Sequence, residues 1–267
     1  MPMTEADLSQ NESQKEAALR RFFTEHPHVA LAFSGGVDSG YLLWAASRWA
    51  REVRPLYVST AFQPAWELAD ARRLSRELGL ELDVIELDIF RCAEAAANGP
   101  RRCYYCKRAI FSALWEQARA AGCPVLLDGN NASDDADGRP GMQACRELGV
   151  LSPLRECGLT KGDVRRLSRR AGLFTWDKPS YSCLATRVAC GQTLTRELLR
   201  RVEQGENALT ELGFRDFRLR VQGDTALLQV TAAQQAKART DWENIRRALA
   251  GLFPVLSLDE QARKESL

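Results

Sequence analysis

A parallel α/β sheet followed by a small α+β unit is the fold the sequence predicts, and three observations predict it. Four short apolar runs of strand length lie in the first half: VALAF at 29, PLYVS at 55, LDVIEL at 82 and PVLLD at 124. Segments of helical period separate them, at about 40–50, 65–78 and 107–121. Beyond residue 172 the alternation stops, and a helix–strand–strand–helix order replaces it. Alternating strands and helices imply parallel strands, helices on both faces and right-handed connections. In chain order, the four runs read as buried strands and the segments between them as their crossover helices. A further helix is expected at 160–171, opened by Thr160 as N-cap and closed by Gly172. Residues 172–193 read as irregular. A helix over 195–212 follows, then strands DFRLRV and TALLQV hinged at Gly223-Asp224, then a last long helix. The expected domains are 1–185, the parallel-sheet unit, and 186–267, the small α+β unit. There is no internal repeat and no low-complexity stretch.

The 267 residues are 45% hydrophobic, enough for a sizeable core, and the length suits one large domain or a large one with a small one. Lys and Arg total 37 against 35 for Asp and Glu, a balance that announces neither a nucleic acid nor a membrane surface. The first thirty residues carry Glu5, Asp7, Glu12, Lys15 and Arg20 without an apolar core, so no signal peptide is read there. No run approaches the roughly eighteen apolar residues of a spanning helix. A cytoplasmic location is expected. Eight cysteines in such a chain argue for thiols, metal ligands or catalysis rather than a disulfide framework.

The sharpest signal is SGGVDS at 34–39, directly after the first strand and opening the first crossover helix. The backbone N–H groups of Ser34, Gly35, Gly36 and Val37 can form a concave nest where the helix dipole also favours negative charge. Two glycines let the backbone approach a phosphate, and the hydroxyls of Ser34 and Ser39 add donors. The lysine of a Walker loop is absent. Asp38 beside phosphates makes sense if it holds Mg²⁺. The plain alternative is a glycine turn between strand and helix.

This string resembles the PP-loop ATP pyrophosphatases, which cleave ATP between its α and β phosphates and adenylate a substrate. The resemblance implies that ATP and Mg²⁺ are cofactors, that the loop cradles pyrophosphate, and that Ser59 and Thr60 lie by the adenine. The stretches RRCYYCK (101–107), SPLRECGLTKGDVR (152–165) and WDKPSYSCLATR (176–187) resemble, in order and spacing, the LarE family of sulfur transferases. Members adenylate a carboxylate of a pyridinium dicarboxylate mononucleotide and replace the adenylate with sulfur, making the thiocarboxylate of a nickel-pincer cofactor. In some, a cysteine at the place of Cys183 gives up its sulfur and ends as dehydroalanine. Others carry a C-x-x-C pair and are thought to use a [4Fe–4S] cluster. For this chain the resemblance implies that Cys103, Cys106 and Cys183 meet as ligands of such a cluster and that Lys107 faces the substrate. It also implies that Glu206 is an active-site acid and that Arg218 and Arg220 bind the substrate's phosphate. The partner implied is a small pyridinium mononucleotide; a homo-oligomer is expected, with no membrane and no nucleic-acid partner.

By the residues alone, a C-x-x-C pair is a redox pair, a zinc half-site or an iron–sulfur half-site. Structural zinc wants four ligands, whereas the only histidines, His26 and His28, flank a proline and a second C-x-x-C is missing. Cluster ligation, Cys183 as direct sulfur donor, and zinc, disulfide or plain thiols stay open. Cys92, Cys123, Cys145, Cys157 and Cys190 have no spacing partner and most of them read as buried, with Cys190 a reserve near Cys183. The scarcity of histidine fits adenylation, because a substrate carboxylate is already ionised and needs alignment rather than a base. Asp128 and the Asp134-Asp135 pair stand after the fourth strand, where ligand loops form, although an Asn- and Asp-rich stretch is also an ordinary turn. The arginines of KGDVRRLSRR read as a solvated face. Arg218 and Arg220 share one face of a strand, as a phosphate clamp would require; plain surface charge is the alternative for both, and for Glu206 on the preceding helix. A PP-loop tRNA thiolase is the rival enzyme, and a non-catalytic nucleotide or cluster carrier the rival from another class.

Overall fold

The structure, a computed structural model, describes residues 5–134 and 139–265. No helix among the described residues is long and apolar enough to cross a membrane. The elements begin with α1 (Glu5–Glu25), β1 (His28–Ala32), α2 (Val37–Trp49), β2 (Glu52–Ser59), α3 (Ala65–Glu77) and β3 (Asp83–Glu86). They continue with α4 (Ala93–Ala96), α5 (Arg102–Ala120), β4 (Val125–Leu127), α6 (Pro140–Glu147), α7 (Pro153–Glu156) and α8 (Lys161–Arg170). Last come α9 (Arg196–Glu211), β5 (Arg218–Gln222), β6 (Thr225–Gln229), α10 (Gln235–Thr240), α11 (Trp242–Leu249) and β7 (Val255–Leu258). The described residues of Met1–Ser59, Ala65–Leu87 and Cys103–Lys178 form one compact unit; those of Thr60–Pro64, Asp88–Arg102 and Pro179–Leu267 form another.

In the first unit four parallel strands lie in the order β3-β2-β1-β4. The expected α/β sheet is there, and so is the reason its strands read as unbroken apolar runs. On β1, Val29 and Leu31 join a core with Leu19 and Phe23 of α1 and Leu42 of α2, while Ala30 joins Leu56, Val58, Phe111 and Leu126 in another. A strand buried on both faces has no solvent side to alternate with. Helix α1 was not among the expected elements; Leu19, Phe22 and Phe23 fall on one face at i, i+3 and i+4 and anchor it. The chain order turns at β1, with β2 on one side and β4 on the other, so the loops leaving β1 and β4 open at a switch point where such sheets bind ligands.

Helix α8 follows the expected limits. The Thr160 side chain accepts from the Asp163 N–H while the Asp163 carboxylate accepts from the Thr160 N–H, a complete capping box. Beyond its end Gly172 takes the left-handed conformation, φ +72°.

In the second unit β5 and β6 form an antiparallel hairpin with β7 parallel to β6. Its turn is Gly223-Asp224, with Gly223 at φ +59°. The expected last long helix is instead α10, α11 and the strand β7. Apolar residues Ala238, Ile245 and Leu249 are buried and keep a helical period across the break at Asp241, so the pattern alone does not reveal it. Pro254 then keeps Phe253 from continuing a helix, and the chain leaves extended.

Candidate active site

The loop after β1 is shaped by its glycines. Gly35 has φ +71°, and a Cβ there would stand 3.0 Å from the backbone N of Ala71 and the carbonyl of Glu67 on α3. Gly36 is the N-cap of α2 and supplies no capping side chain, so the first N–H groups of this 13-residue helix are left for a ligand or water. The Ser34 and Ser39 hydroxyls lie 3.0 Å apart, and the Ser34 N–H donates to Ser39 Oγ at 3.3 Å. From the loop after β4, Gly129 comes so close that a Cβ would lie 2.9 Å from the Ser39 N. Val37 is buried and turns the loop into the core.

Asp38 accepts from Lys161 Nζ at 2.6 Å and from Asn131 Nδ2 at 3.2 Å. Burial pushes its carboxyl up; Lys161 and Asn131 pull it down, Asp134 adds to the push, and the result is a value above the usual one. Asp128 is buried and accepts from Ser152 Oγ at 2.7 Å and from the Asn130 N–H at 3.1 Å, which makes it a builder of this loop. Asp134 accepts from the Asn131 N–H at 2.9 Å and pairs with Arg139. Asp135 lies outside the described residues. Lys178 donates to the Gly35 carbonyl at 3.1 Å and to Asp70 at 2.5 Å, holding the phosphate loop against α3. Ser59 closes β2 and takes the Leu87 N–H on its carbonyl.

The first turns of α5 carry Cys103, Cys106 and Lys107. Cys103 is exposed and Cys106 half-buried. Cys103 and Lys107, four apart, share a face against which α6 lays Gly141; a Cβ there would be 3.3 Å from Lys107 Cγ and 3.8 Å from Cys103 Cβ. The Lys107 ammonium sits 4.9 Å from the centre of the Phe111 ring.

In the second unit the Thr60 hydroxyl closes a turn, donating to Gln63 Oε1 at 2.5 Å and accepting from the Phe62 N–H at 3.0 Å. Cys183 is half-buried and precedes a short turn, Leu184–Arg187, with its carbonyl accepting from the Thr186 N–H at 2.9 Å. Asn98, buried at φ +54°, donates to the carbonyls of Ala189 at 2.8 Å and Gln192 at 3.1 Å, and Arg102 bridges it to the Ala185 carbonyl. The segment just after Cys183 is thereby pinned.

Glu206 is buried and fully engaged. It accepts from Arg187 Nε at 2.7 Å, Tyr181 Oη at 2.6 Å and the Leu219 N–H at 3.2 Å. Arg218 is buried too, donating to the carbonyls of Phe217 and Ser180, each at 2.7 Å. Burial above all, then the charges of Arg187 and Arg263, bring its guanidinium down to about 10. Arg220 donates to Gln229 Oε1 at 3.1 Å and to the Thr186 carbonyl, and its value is lowered by the same causes. Arg187, Arg218, Arg220 and Arg263 outnumber their acidic neighbours Glu206 and Asp216, an excess that suits an anion.

These observations also test the metals. A desolvated carboxylate on a helix start with free N–H groups, with the Asp134 carboxylate in its surroundings, fits Mg²⁺, which takes one or two carboxylates and completes its shell with phosphate oxygens and water. An iron–sulfur cluster is less well met. Cys103 and Cys106 lie one turn apart, but among the described residues no group of three or more His, Cys, Asp or Glu side chains is placed to hold a metal ion.

Lys161, Asn131, Lys178, Tyr181, Arg187 and Asn98 were not singled out from the sequence. Four of them stand inside the stretches that carry the family resemblance, which was the available signal. The arginines after Lys161 are less loosely solvated than their pattern suggested: Arg165 donates to the carbonyls of Trp176 and Lys178, each at 2.8 Å.

No family-wide sequence profile matches the chain. It is 35% identical, over 81% of its length and 81% of the relative's, to an uncharacterized protein of Synechocystis. It is 23% identical, over 56% of its length and 54% of the relative's, to the tRNA-specific 2-thiouridylase MnmA of Thermotoga neapolitana. To the pyridinium-3,5-bisthiocarboxylic acid mononucleotide synthase of Lactiplantibacillus plantarum it is 31% identical over 92% of its length and 90% of that protein's. Similarity of that extent, with a phosphate loop at the switch point of a parallel sheet, makes the chain a member of the LarE family of PP-loop ATP pyrophosphatases.

Proposed function

We propose that the protein adenylates a carboxylate of a pyridinium dicarboxylate mononucleotide and converts it to a thiocarboxylate for a nickel-pincer cofactor. The observation that carries this reading is the near full-length similarity to the Lactiplantibacillus plantarum synthase. A carboxylate oxygen of the acceptor attacks the α-phosphorus of ATP, the bond to the β-phosphate oxygen breaks, and pyrophosphate leaves with the electron pair. The N–H groups at the start of α2 and the Ser34 and Ser39 hydroxyls receive the leaving group. Asp38 would hold Mg²⁺, which supplies charge neutralisation on the phosphates when bound. No protein base is required, which agrees with the absence of histidine from this loop. A sulfur nucleophile then attacks the acyl carbon, the bond to the AMP oxygen breaks, and AMP leaves. Lys107 neutralises charge at the acceptor. Arg218 and Arg220 take its phosphate, with Glu206 ordering their surroundings through Arg187. Ser59 and Thr60 remain the proposed adenine edge, Thr60 by its backbone because its hydroxyl is committed.

A [4Fe–4S] cluster on Cys103, Cys106 and Cys183 is the proposed sulfur carrier. Cysteine spacing and family resemblance support it, and no step is derived through it. Anaerobic reconstitution with iron and sulfide should give a brown protein holding about four irons per chain, and Cys103→Ala or Cys106→Ala should lose the colour. If activity survives those changes while Cys183 becomes dehydroalanine, the sulfur comes from Cys183 itself. The function is tested by incubating the protein with Mg²⁺, ATP and the pyridinium dicarboxylate mononucleotide. Pyrophosphate and AMP are the expected products, and Asp38→Ala should remove most of their formation. ADP and orthophosphate would show cleavage at the wrong bond.

A further inference from the structure

The peptide between Gly35 and Gly36 has glycine at both ends, so no Cβ on either side resists its rotation. It is nonetheless held, and from its carbonyl side. Lys178 Nζ donates to the Gly35 carbonyl at 3.1 Å and to Asp70 Oδ2 at 2.5 Å, and lies 5.0 Å from the centre of the Trp66 ring. Trp66 and Asp70 stand one turn apart on α3, and the next residue, Ala71, is one that Gly35 lies against. The base of the lysine is fixed as well. Its N–H donates to the Thr175 carbonyl at 3.2 Å, and its carbonyl accepts from Arg165 of α8 at 2.8 Å. Its side chain is about four-fifths covered. A trans peptide is planar and points its C=O and N–H in opposite directions. With the carbonyl taken by Lys178, the Gly36 N–H is turned the other way, toward the Ser34 hydroxyl at 3.4 Å and the pair that hydroxyl makes with Ser39.

We propose that Lys178 is a positioning residue for the loop: it fixes the Gly35–Gly36 peptide so that the Gly36 N–H faces the anion, without itself contacting a phosphate. The inference rests on the adenylation reading and names what keeps the nest formed before pyrophosphate is made. Half a turn of this peptide would put the Gly35 carbonyl where the Gly36 N–H now lies, and a donor would become an acceptor facing a polyanion. Between two glycines little else opposes that turn. An ammonium on the carbonyl opposes it and also polarises the peptide, which makes its N–H the better donor. Asp70 completes the device, since its carboxylate keeps the ammonium on the carbonyl side of the loop. A lysine that served as a phosphate ligand would be held back by Asp70, whereas a lysine that anchors the loop is held in place by it. Removal of Asp70 therefore acts in opposite directions for the two roles.

The experiment is calorimetric titration of the full chain with magnesium pyrophosphate and with AMP. Lys178→Met should weaken pyrophosphate binding about tenfold, the scale of one hydrogen bond to a charged group. AMP, which lacks the group the nest takes, should change less than about twofold. Lys178→Arg keeps a donor for the carbonyl and should recover part of the loss. Asp70→Ala should weaken pyrophosphate binding as well; tighter binding in that variant would make Lys178 a phosphate ligand and overturn the proposal. A second measurement needs no ligand. The amide nitrogen resonance of Gly36 responds to hydrogen bonding at the carbonyl of its own peptide, so it should shift in Lys178→Met and return toward its natural position in Lys178→Arg. An unmoved resonance, equal losses for AMP and pyrophosphate, or no loss for either would each overturn the proposal. A natural chain that binds no magnesium pyrophosphate would overturn the adenylation reading beneath it.

Discussion

Glu206 shows how far a single residue can depart from what its type predicts. Read from the sequence, it is a helix-surface acid or an active-site acid; in the structure it is buried under Tyr181 and Arg187. Arg187 is only 1% exposed and has Glu206 as its ion-pair partner. Removing one member of a buried pair leaves the other charged without compensation, a loss of about 3–5 kcal/mol. Glu206→Ala should therefore lower stability by that order, read as the denaturant midpoint, and should disturb the Tyr181 ring that lies under Arg187 and Arg218. Unchanged stability with lost turnover would make Glu206 a purely chemical group instead. The sequence could not reveal this pair, because an arginine and a glutamate default to the surface and nothing local marks the exception. Gly35 and Gly36 were legible for the opposite reason: the loop's demands fall on adjacent residues, and α2 follows at once.

At the level of elements, the strands and crossover helices of the first unit were legible because burial on both faces writes itself as an unbroken apolar run. The ends of α8 were legible too, since a cap is a local device. What a cap does for the molecule was not. Asp163 closes the capping box and also pairs with Lys15 of α1, so it joins two helices. Burial alone would raise its carboxyl, but the bonds from Lys15 and Thr160 outweigh that and hold it below the usual carboxylate range. A carboxyl depressed in the folded state adds stability above its unfolded value, about 3.9, and that stability is lost as pH falls through the lower folded value. Asp163→Asn should thus be less stable than the natural chain by about 1–3 kcal/mol at pH 7. The gap should hold down to about pH 5 and narrow below about pH 4, as urea titrations across that range would show. A gap that widened in acid would mean the carboxyl is raised, not lowered. The break between α10 and α11 escaped the sequence because apolar period persists through it, and period reports a face rather than continuity.

Across the whole molecule, the proposed function gives each unit a different kind of anion site. The first presents backbone N–H groups at a helix start, suited to a polyphosphate that must be released. The second presents guanidinium groups, fixed by carbonyls and a buried carboxylate, suited to a phosphate that is held while chemistry occurs elsewhere on its bearer. Both could be suspected from the sequence, the first from a compact motif and the second from two arginines spaced on one strand. That Arg187 and Arg263 join them could not, since these four come from three separated stretches. Arg218 is a poor probe of this site, because its buried guanidinium also holds the Ser180 and Phe217 carbonyls and its removal damages the fold. Arg220 is more exposed and bonds to Gln229 and the Thr186 carbonyl, groups that water can serve in its absence. Arg220→Ala should raise KM for the mononucleotide acceptor by the equivalent of about 1.5–3 kcal/mol, the range of a charged hydrogen bond. KM for ATP should stay within about twofold, because the proposed triphosphate contacts lie on the loop after β1 and not on this strand. The same variant offered an acceptor without its phosphate should show no further loss relative to the natural chain, since the partner of Arg220 is then already missing. If the dephosphorylated acceptor is hurt as much as the phosphorylated one, Arg220 supports the fold of β5 and does not read the phosphate.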